Sequence, residues 1–415
     1  MTLKNKIFWI YLLSAAVYFT QGIEGLPGLA LFLYLKEHLG FSAEKIMYLG
    51  SIIGLAWLVK PCWGYLCDNV FTKKVWIFIS LLGSILVSLF FGLSPVVSLP
   101  LIILMASIGS WNAAVRDVGV DGIMCVEGKI AQKCDKIQAV QWISIMIAGI
   151  LVGLGGGYIA EHFNFKVGYL CLIPVYLIIV GIVAFYQEHK EKRTCYTCNF
   201  GSDCNSVESN PACWQSKEPK LTVLETIYSY KELYKNKQFL VACLFLFLYK
   251  YSPSFGTPLS FIERDVFHWS ATWMGTLAAI VSAIEIGGAI VFFNVCKKIN
   301  IKKWLYISVF LGAITSLCYL YYTPISAVAY GILFGSLGMF IHLIVMSFMA
   351  QTTIKGKEAT SFALLCSISN LAGTASSLSG ALLFPKIGLT GLIILSAATS
   401  FVCLPLISKI GLKNE

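Results

Sequence analysis

The sequence predicts an all-α integral membrane protein with twelve transmembrane helices in two pseudo-symmetric six-helix bundles. Three observations predict it. Of 415 residues, 57% are apolar and 13% charged, a balance that does not fold into one soluble core of ordinary surface. A span needs roughly 20 apolar residues, and twelve runs meet that need. One long polar stretch, about 188–237, divides these runs six and six.

The first run, 7–35, begins directly after Lys4 and Lys6. It is too long for a signal-peptide core and has no small-residue cleavage site behind it, so it reads as a retained helix. It runs into Gly25-Leu26-Pro27, and the second, 44–66, opens at Phe41-Ser42-Ala43. The third and fourth, 75–93 and 99–126, follow; the fourth holds Arg116, Asp117 and Asp121. The fifth, 137–160, carries Gly149, Gly153, Gly155, Gly156 and Gly157, small residues that let backbones approach and helices slide or pack; 167–187 closes the first half. The seventh, 238–263, contains Lys250 and repeats the Gly-x-Pro of the first as Gly256-Thr257-Pro258. Trp269-Ser270-Ala271 then matches Phe41-Ser42-Ala43 and opens the eighth run, 271–295, which holds Glu285. Runs 303–323 and 325–351 follow, the latter with His342. The eleventh, 358–384, has Gly373, Ser376, Ser377 and Gly380, and 389–408 completes the set. The division is 1–187, an N-terminal bundle; 188–237, a linker; and 238–415, a C-terminal bundle.

Orientation follows from the Lys/Arg bias of the loops. With the N-terminus inside, cytoplasmic segments carry 23 Lys and Arg and outer loops five, Lys36, Lys45, Lys166, Arg264 and Lys386. Both termini are thus expected in the cytoplasm. The net charge of +10 reads as a topology signal and does not imply a nucleic-acid partner.

Seven ionisable residues fall inside apolar runs: Glu24, Lys60, Arg116, Asp117, Asp121, Lys250 and Glu285. A charge at mid-helix costs at least about 2.5 kcal/mol, so such residues usually face a shared polar cavity and mark a substrate or ion path. Asp117 and Asp121 are one helical turn apart and share a face, and Arg116 beside them is placed to neutralise one. Lys60 and Glu285 read equally as ion pairs locking the halves together. His342 reads as a polar side chain satisfied by a backbone carbonyl or as a proton relay. Glu24 and Lys250 sit near the middle of matching helices with opposite charges, and are expected to pair when the cavity is empty.

Six helices, a cytoplasmic linker and six more resemble the major facilitator superfamily, whose halves enclose a midplane site and rock around it. That resemblance implies that the first and fourth helix of each half line the cavity. Gly64-Tyr65-Leu66-Cys67-Asp68 with Lys73-Lys74 looks like the superfamily's signature loop. In it the glycine permits close helix approach, and the carboxylate latches onto a helix N-terminus or basic partner in one conformation only. Asn294 to Lys303, the equivalent place in the second half, has no carboxylate, so the latch should be one-sided. Lys60, Gly64, Asp68, Lys73 and Lys74 form the implied gate.

Closer matches resemble the folate-biopterin transporter family. They are Gln21-Gly22; Tyr34-Leu35-Lys36 with Leu39-Gly40-Phe41-Ser42; Lys60-Pro61-Cys62-Trp63-Gly64-Tyr65-Leu66-Cys67-Asp68; and Asp117-Val118-Gly119-Val120-Asp121 with Glu127, Gln138 and Trp142. Ser252-Pro253-Ser254 and Ser367-Ile368-Ser369-Asn370-Leu371 also fit. Gly122 and Cys125 depart from the family's helix 4 pattern. The resemblance implies a secondary transporter, proton-coupled or an exchanger, for folate, biopterin or a related organic anion. Muropeptide and acylated-nucleotide permeases share the helix 4 motif and are the alternative within transport; a non-transporting sensor with a metal-binding linker is the alternative outside it.

A pterin site needs an aromatic wall, one or two carboxylates and a cation. Arg116 or Lys250 is suited to hold a carboxylate, Asp117 or Asp121 to bond the pterin edge or carry a proton, and Trp111, Tyr249 or Tyr251 to stack; Ser252 and Ser254 join this pathway. No Walker sequence is present, so energy is expected from an ion gradient, and no nucleophile and base pair as in an enzyme. The expected location is the plasma (inner) membrane. No cofactor is expected in the bundle. Cys195, Cys198, Cys204 and Cys213 in the linker read as zinc ligands or as free thiols of a polar linker.

Overall fold

The computed structural model describes residues 3–94, 98–131, 134–188, 235–295, 299–354 and 358–410. Every regular element among them is helical, and ten helices are long and apolar enough to cross a membrane. The first half comprises α1 (Ile7–His38), α2 (Ala43–Cys67), α3 (Lys73–Leu93), α4 (Leu99–Met124, helical on to Ala131), α5 (Lys136–His162) and α6 (Phe165–Phe185). The second begins with α7, in two pieces, Lys237–Lys250 and Gly256–Asp265, then α8 (Ala271–Val295), α9 (Ile301–Cys318) and α10 (Pro324–Gln351). One helical stretch, Glu358–Ser400, is two spans, α11 (358–387) and α12 (389–409), because Gly388 at φ 66°, ψ −176° reverses the chain. That backbone region is open essentially to glycine. With the broken α7 the spans among the described residues number twelve.

Helix starts are fixed by side chains that accept from otherwise orphaned N–H groups. Asn164 accepts from Lys166 N at 3.0 Å, Asn236 from Phe239 N at 3.1 Å and Asn300 from Lys303 N at 2.9 Å. Thr323 and Ser326 form a capping box at α10.

Three spans are less regular than continuous apolar runs suggest. In α1 the helix tightens into a turn at 24–27, with Gly25 N on Gly22 O and Leu26 N on Ile23 O, ahead of Pro27, which has no N–H to give. Residues 251–255 leave α7 non-helical, a correction to the unbroken run 238–263. Pro253 excludes a helical bond there and pushes Ser252 out of the helical region. The freed groups are recovered from neighbours: Ser254 N donates to Ser376 O at 3.0 Å, Ser376 Oγ to Ser252 O, and Ser252 Oγ meets Ser396 Oγ. In α5 the glycine run 152–156 winds as a π-helical turn.

Each half has its own apolar core, one spread from Ile10 to Tyr186 and the other from Phe239 to Ile410. The halves meet along α5–α8 and α2–α11. On α5, a Cβ at Gly153 would lie 2.5 Å from Ala279 N, and one at Gly157 3.0 Å from Ala271 O, so the α8 backbone fits only against glycine. On α11, Asn370 Nδ2 donates to Trp57 O of α2 at 3.2 Å. Gly380 packs against Ser254 and Met47, whereas Gly373 has open space. Where α1 ends, hereafter the distal face, charged residues join the halves: Lys36 with Asp265, and Arg264 Nε with Glu37 at 2.7 Å. Beside them Glu161 at the end of α5 accepts from Ala271 N at 2.6 Å, capping α8 of the other half.

Candidate functional site

The polar residues of α4 meet three other helices in a buried network within the first half. Successive helix residues point about 100° apart, so Arg116 and Asp117 face different neighbours. Asp117, 4% exposed, pairs with Lys60 of α2 and accepts from Gln21 Nε2 of α1 at 2.7 Å. The Lys60 ammonium also lies 4.7 Å from the centre of the Trp57 ring, a cation–π contact that shields it. Arg116, fully buried, pairs with Glu24 at the α1 turn and donates to Ser84 of α3 at 3.1 Å. Tyr176 of α6 completes that cluster, its hydroxyl 2.8 Å from Glu24 Oε1.

Asp121 is one turn further along α4 and differs in kind. It accepts from Tyr18 OH at 2.8 Å and, at 3.4 Å, from Gln141 Nε2 of α5, and no cation forms an ion pair with it among the described residues. Gln141 is fully buried, and its Oε1 lacks a partner among the described residues. The network therefore sets three carboxylates against two cations, and Asp121 is the uncompensated one.

Several sequence-level assignments need correction. Arg116 neutralises Glu24 rather than Asp117 or Asp121; Lys60, assigned to the gate, neutralises Asp117. Glu24 is held by Arg116 and Tyr176 inside its own half, so it does not pair with Lys250. Gly64 is not a point of close approach, since a Cβ there would only touch Val118 at 4.0 Å. Lys74 ties α3 to the end of α6: its ammonium donates to Ala184 O and Tyr186 O, and the Lys73 and Lys74 N–H groups donate to Glu188. The stem of Lys73 packs over Gly122, a departure from the helix 4 pattern, where a Cβ would lie 2.8 Å from Lys73 Cε. The Asp68 side chain and linker residues Cys195, Cys198, Cys204 and Cys213 lie outside what the structure describes.

The second half is not wired in this way. Lys250, the last residue of the first α7 piece, is half-buried and has no ion-pair or hydrogen-bond partner among the described residues. Glu285 of α8 is likewise unpaired, lying against Gly335 of α10. His342 Nε2 has no partner among the described residues, a backbone carbonyl included, and its ring meets Trp142 of α5 at 4.4 Å. Met146, Ala289, Met339 and Leu343 form an apolar layer around that contact between the halves. Of the proposed stacking residues, Tyr249 packs in the second core, Tyr251 stacks on Phe247, and Trp111 is half exposed beside Trp63.

The residues that sequence reasoning missed as site members are mostly uncharged: Tyr18, Gln21, Ser84, Gln141 and Tyr176. Tyr18, Gln21 and Glu24 recur every third residue on an otherwise apolar helix, a signal that could have placed the first two on the network face. Ser84 and Tyr176 carry no such signal.

The BT1 family model matches residues 21–407. A folate-biopterin transporter of Synechocystis sp. is 25% identical over 410 residues, covering 94% of this chain and 77% of that protein. A probable folate-biopterin transporter of Arabidopsis thaliana is 22% identical, covering 91% and 89%. Among solved structures, the nucleoside transporter NupG superimposes with a TM-score of 0.65 at 16% identity, over 100% of both chains. A D-xylose–proton symporter superimposes at 0.69 with 11% identity, over 97% of this chain and 99% of that one. These likenesses give the major facilitator fold.

Proposed function

The chain belongs to the BT1 family, it is a multi-pass membrane transporter and not an enzyme, and on that premise we propose that it moves folate, biopterin or a related organic anion by alternating access, driven by protons. The observation that carries the coupling is Asp121. Lys60 and Arg116 each neutralise one carboxylate of the buried network, and Asp121 alone is left with neutral donors. A carboxylate so placed is favoured when it takes up a proton before the network is sealed from water. Tyr18 and Gln141 hold it in place, and the amide of Gln141 can turn its free Oε1 toward a protonated carboxyl, so both states have a partner. The substrate class is supported by the relatives' names and by the groups that line the cavity between α2 and α11, Trp57, Asn370, Ser51, Ser369, Thr374 and Ser377. The Lys/Arg distribution supports cytoplasmic termini and an inner or plasma membrane location.

The test is uptake of a panel of labelled pterins and sugars into vesicles with and without an inward proton gradient. Accumulation of a pterin that collapses when the gradient is dissipated is the expected result. Sugar uptake without pterin uptake, or pterin accumulation indifferent to the gradient, overturns the reading.

A further inference from the structure

We propose that Lys250 is the group that reads the anionic part of the substrate and so separates pterins that bear a carboxylate from pterins that bear none; this deepens the transport reading above and rests on it. Of the seven ionisable residues inside the apolar runs, three are cations, Lys60, Arg116 and Lys250, and two of them are committed. Lys60 is held by Asp117 and Arg116 by Glu24, the latter fully buried with its second nitrogen on Ser84. Neither can take a substrate carboxylate without releasing one of the protein's own. Lys250 has no carboxylate within ion-pair reach among the described residues.

Its place in the fold suits a cation that has no counter-ion among the described residues. It ends the first piece of α7, where the unpaired carbonyls of the last turn favour a cation, and the chain then leaves the helix at 251–255. Broken spans of this kind are where transporters hold polar ligands. The break that follows it packs on Gly380 of α11, where Ser254 of α7 and Met47 of α2 in the other half both lie, so Lys250 stands four residues from the seam between the halves. Glu285, a carboxylate of this half with no partner among the described residues, sits against Gly335 and outside ion-pair reach of Lys250.

The two halves therefore offer unlike chemistry. The first holds amides, hydroxyls and a carboxylate, suited to the donor and acceptor edge of a neutral heterocycle; the second holds, beside the α7 break, a cation with no partner among the described residues. A substrate with an uncharged ring at one end and a carboxylate at the other would span them, whereas an uncharged pterin would use only the first.

The experiment compares uptake of folate, which carries carboxylates, with biopterin, which carries none, in wild type, Lys250→Met and Lys250→Arg. Lys250→Met is expected to raise KM for folate about tenfold or more and leave biopterin uptake within about twofold, with Lys250→Arg close to wild type for both. Equal loss of both substrates from protein present in the membrane, or unchanged folate uptake, overturns the proposal. If Lys250→Met does not accumulate, Lys250→Gln against Lys250→Arg gives the same ratio. If wild type moves neither pterin, the transport reading fails separately. The cation site is then read by thermal stabilisation with p-aminobenzoylglutamate: a shift lost in Lys250→Met keeps an anion site here, and no shift in wild type removes it.

Discussion

Glu37 and Arg264 face each other across the two halves, Arg264 Nε 2.7 Å from Glu37 Oε1, and their chain neighbours repeat the contact in reverse, Lys36 with Asp265. The dipeptides Lys36-Glu37 and Arg264-Asp265 stand at equal separations ahead of Ser42-Ala43 and Ser270-Ala271, the matching starts of α2 and α8. A two-fold relation between the halves carries each of these pairs onto the other, which is the self-complementary pattern of an isologous contact. The distal face is thus closed by one element used twice.

Each of these pairs is partly exposed, so each contributes about 0.2–1 kcal/mol. That is small for stability but enough to bias two conformations by a few-fold. Glu37→Arg should repel Arg264 and raise the labelling rate of a cysteine placed on the distal face about two- to fivefold. Adding Arg264→Glu should restore the wild-type rate. Labelling that ignores both changes would show that the pairs do not hold the face.

Arg116 and Glu24 present the opposite balance. Removing one partner of a buried ion pair strands the other and costs about 3–5 kcal/mol. Arg116→Met and Glu24→Gln should each reduce folded protein in the membrane severely, and the double change should recover most of it. Recovery measured by detergent-extracted, monodisperse protein decides the matter; a double variant as poor as the singles would mean that Ser84 and Tyr176 matter more than the charge.

Glycines on α5 make a third prediction. The α8 backbone occupies the space that a side chain at Gly153 would need, so Gly153→Leu should keep the distal ends of the halves apart. Distal-face labelling should rise and uptake fall while expression holds. Unchanged labelling would show that α8 retreats without effect on the closed state.

Much of the fold was legible because its signals are local. Run length located the spans, and Ser252-Pro253-Ser254 is itself the reason α7 breaks, though an apolar average over the run conceals it. The site was legible in part. Ionisable residues in apolar runs identified the network members Glu24, Lys60, Arg116, Asp117 and Asp121, since their cost in lipid is a property of residue type. Their pairings were not legible, because they depend on the rotation of each helix about its axis. Arg116 and Asp117 are adjacent in sequence yet answer to α1 and α2 on different sides, and a partner chosen by proximity along α4 is therefore the wrong one. The distal pairs were hidden for another reason: Lys36, Glu37, Arg264 and Asp265 lie at helix ends, where charge is ordinary and carries no cost to flag it.

Asp121 yields the most discriminating prediction. Asparagine keeps the shape of a protonated aspartate and its hydrogen bonds to Tyr18 and Gln141 but cannot give up a proton. A transporter that couples through this residue should, as Asp121→Asn, reach the membrane in normal amount and still exchange labelled for unlabelled substrate across it. Accumulation against a gradient should be lost, and the dependence of uptake on external pH should flatten. Exchange without accumulation separates coupling from binding, because both half-reactions of exchange use only the loaded carrier. Accumulation at the wild-type rate with unchanged pH dependence would move the coupling site elsewhere, to Glu285 or His342, which also lack a partner among the described residues. Loss of exchange together with accumulation would instead place Asp121 on the substrate, bonding the heterocycle directly.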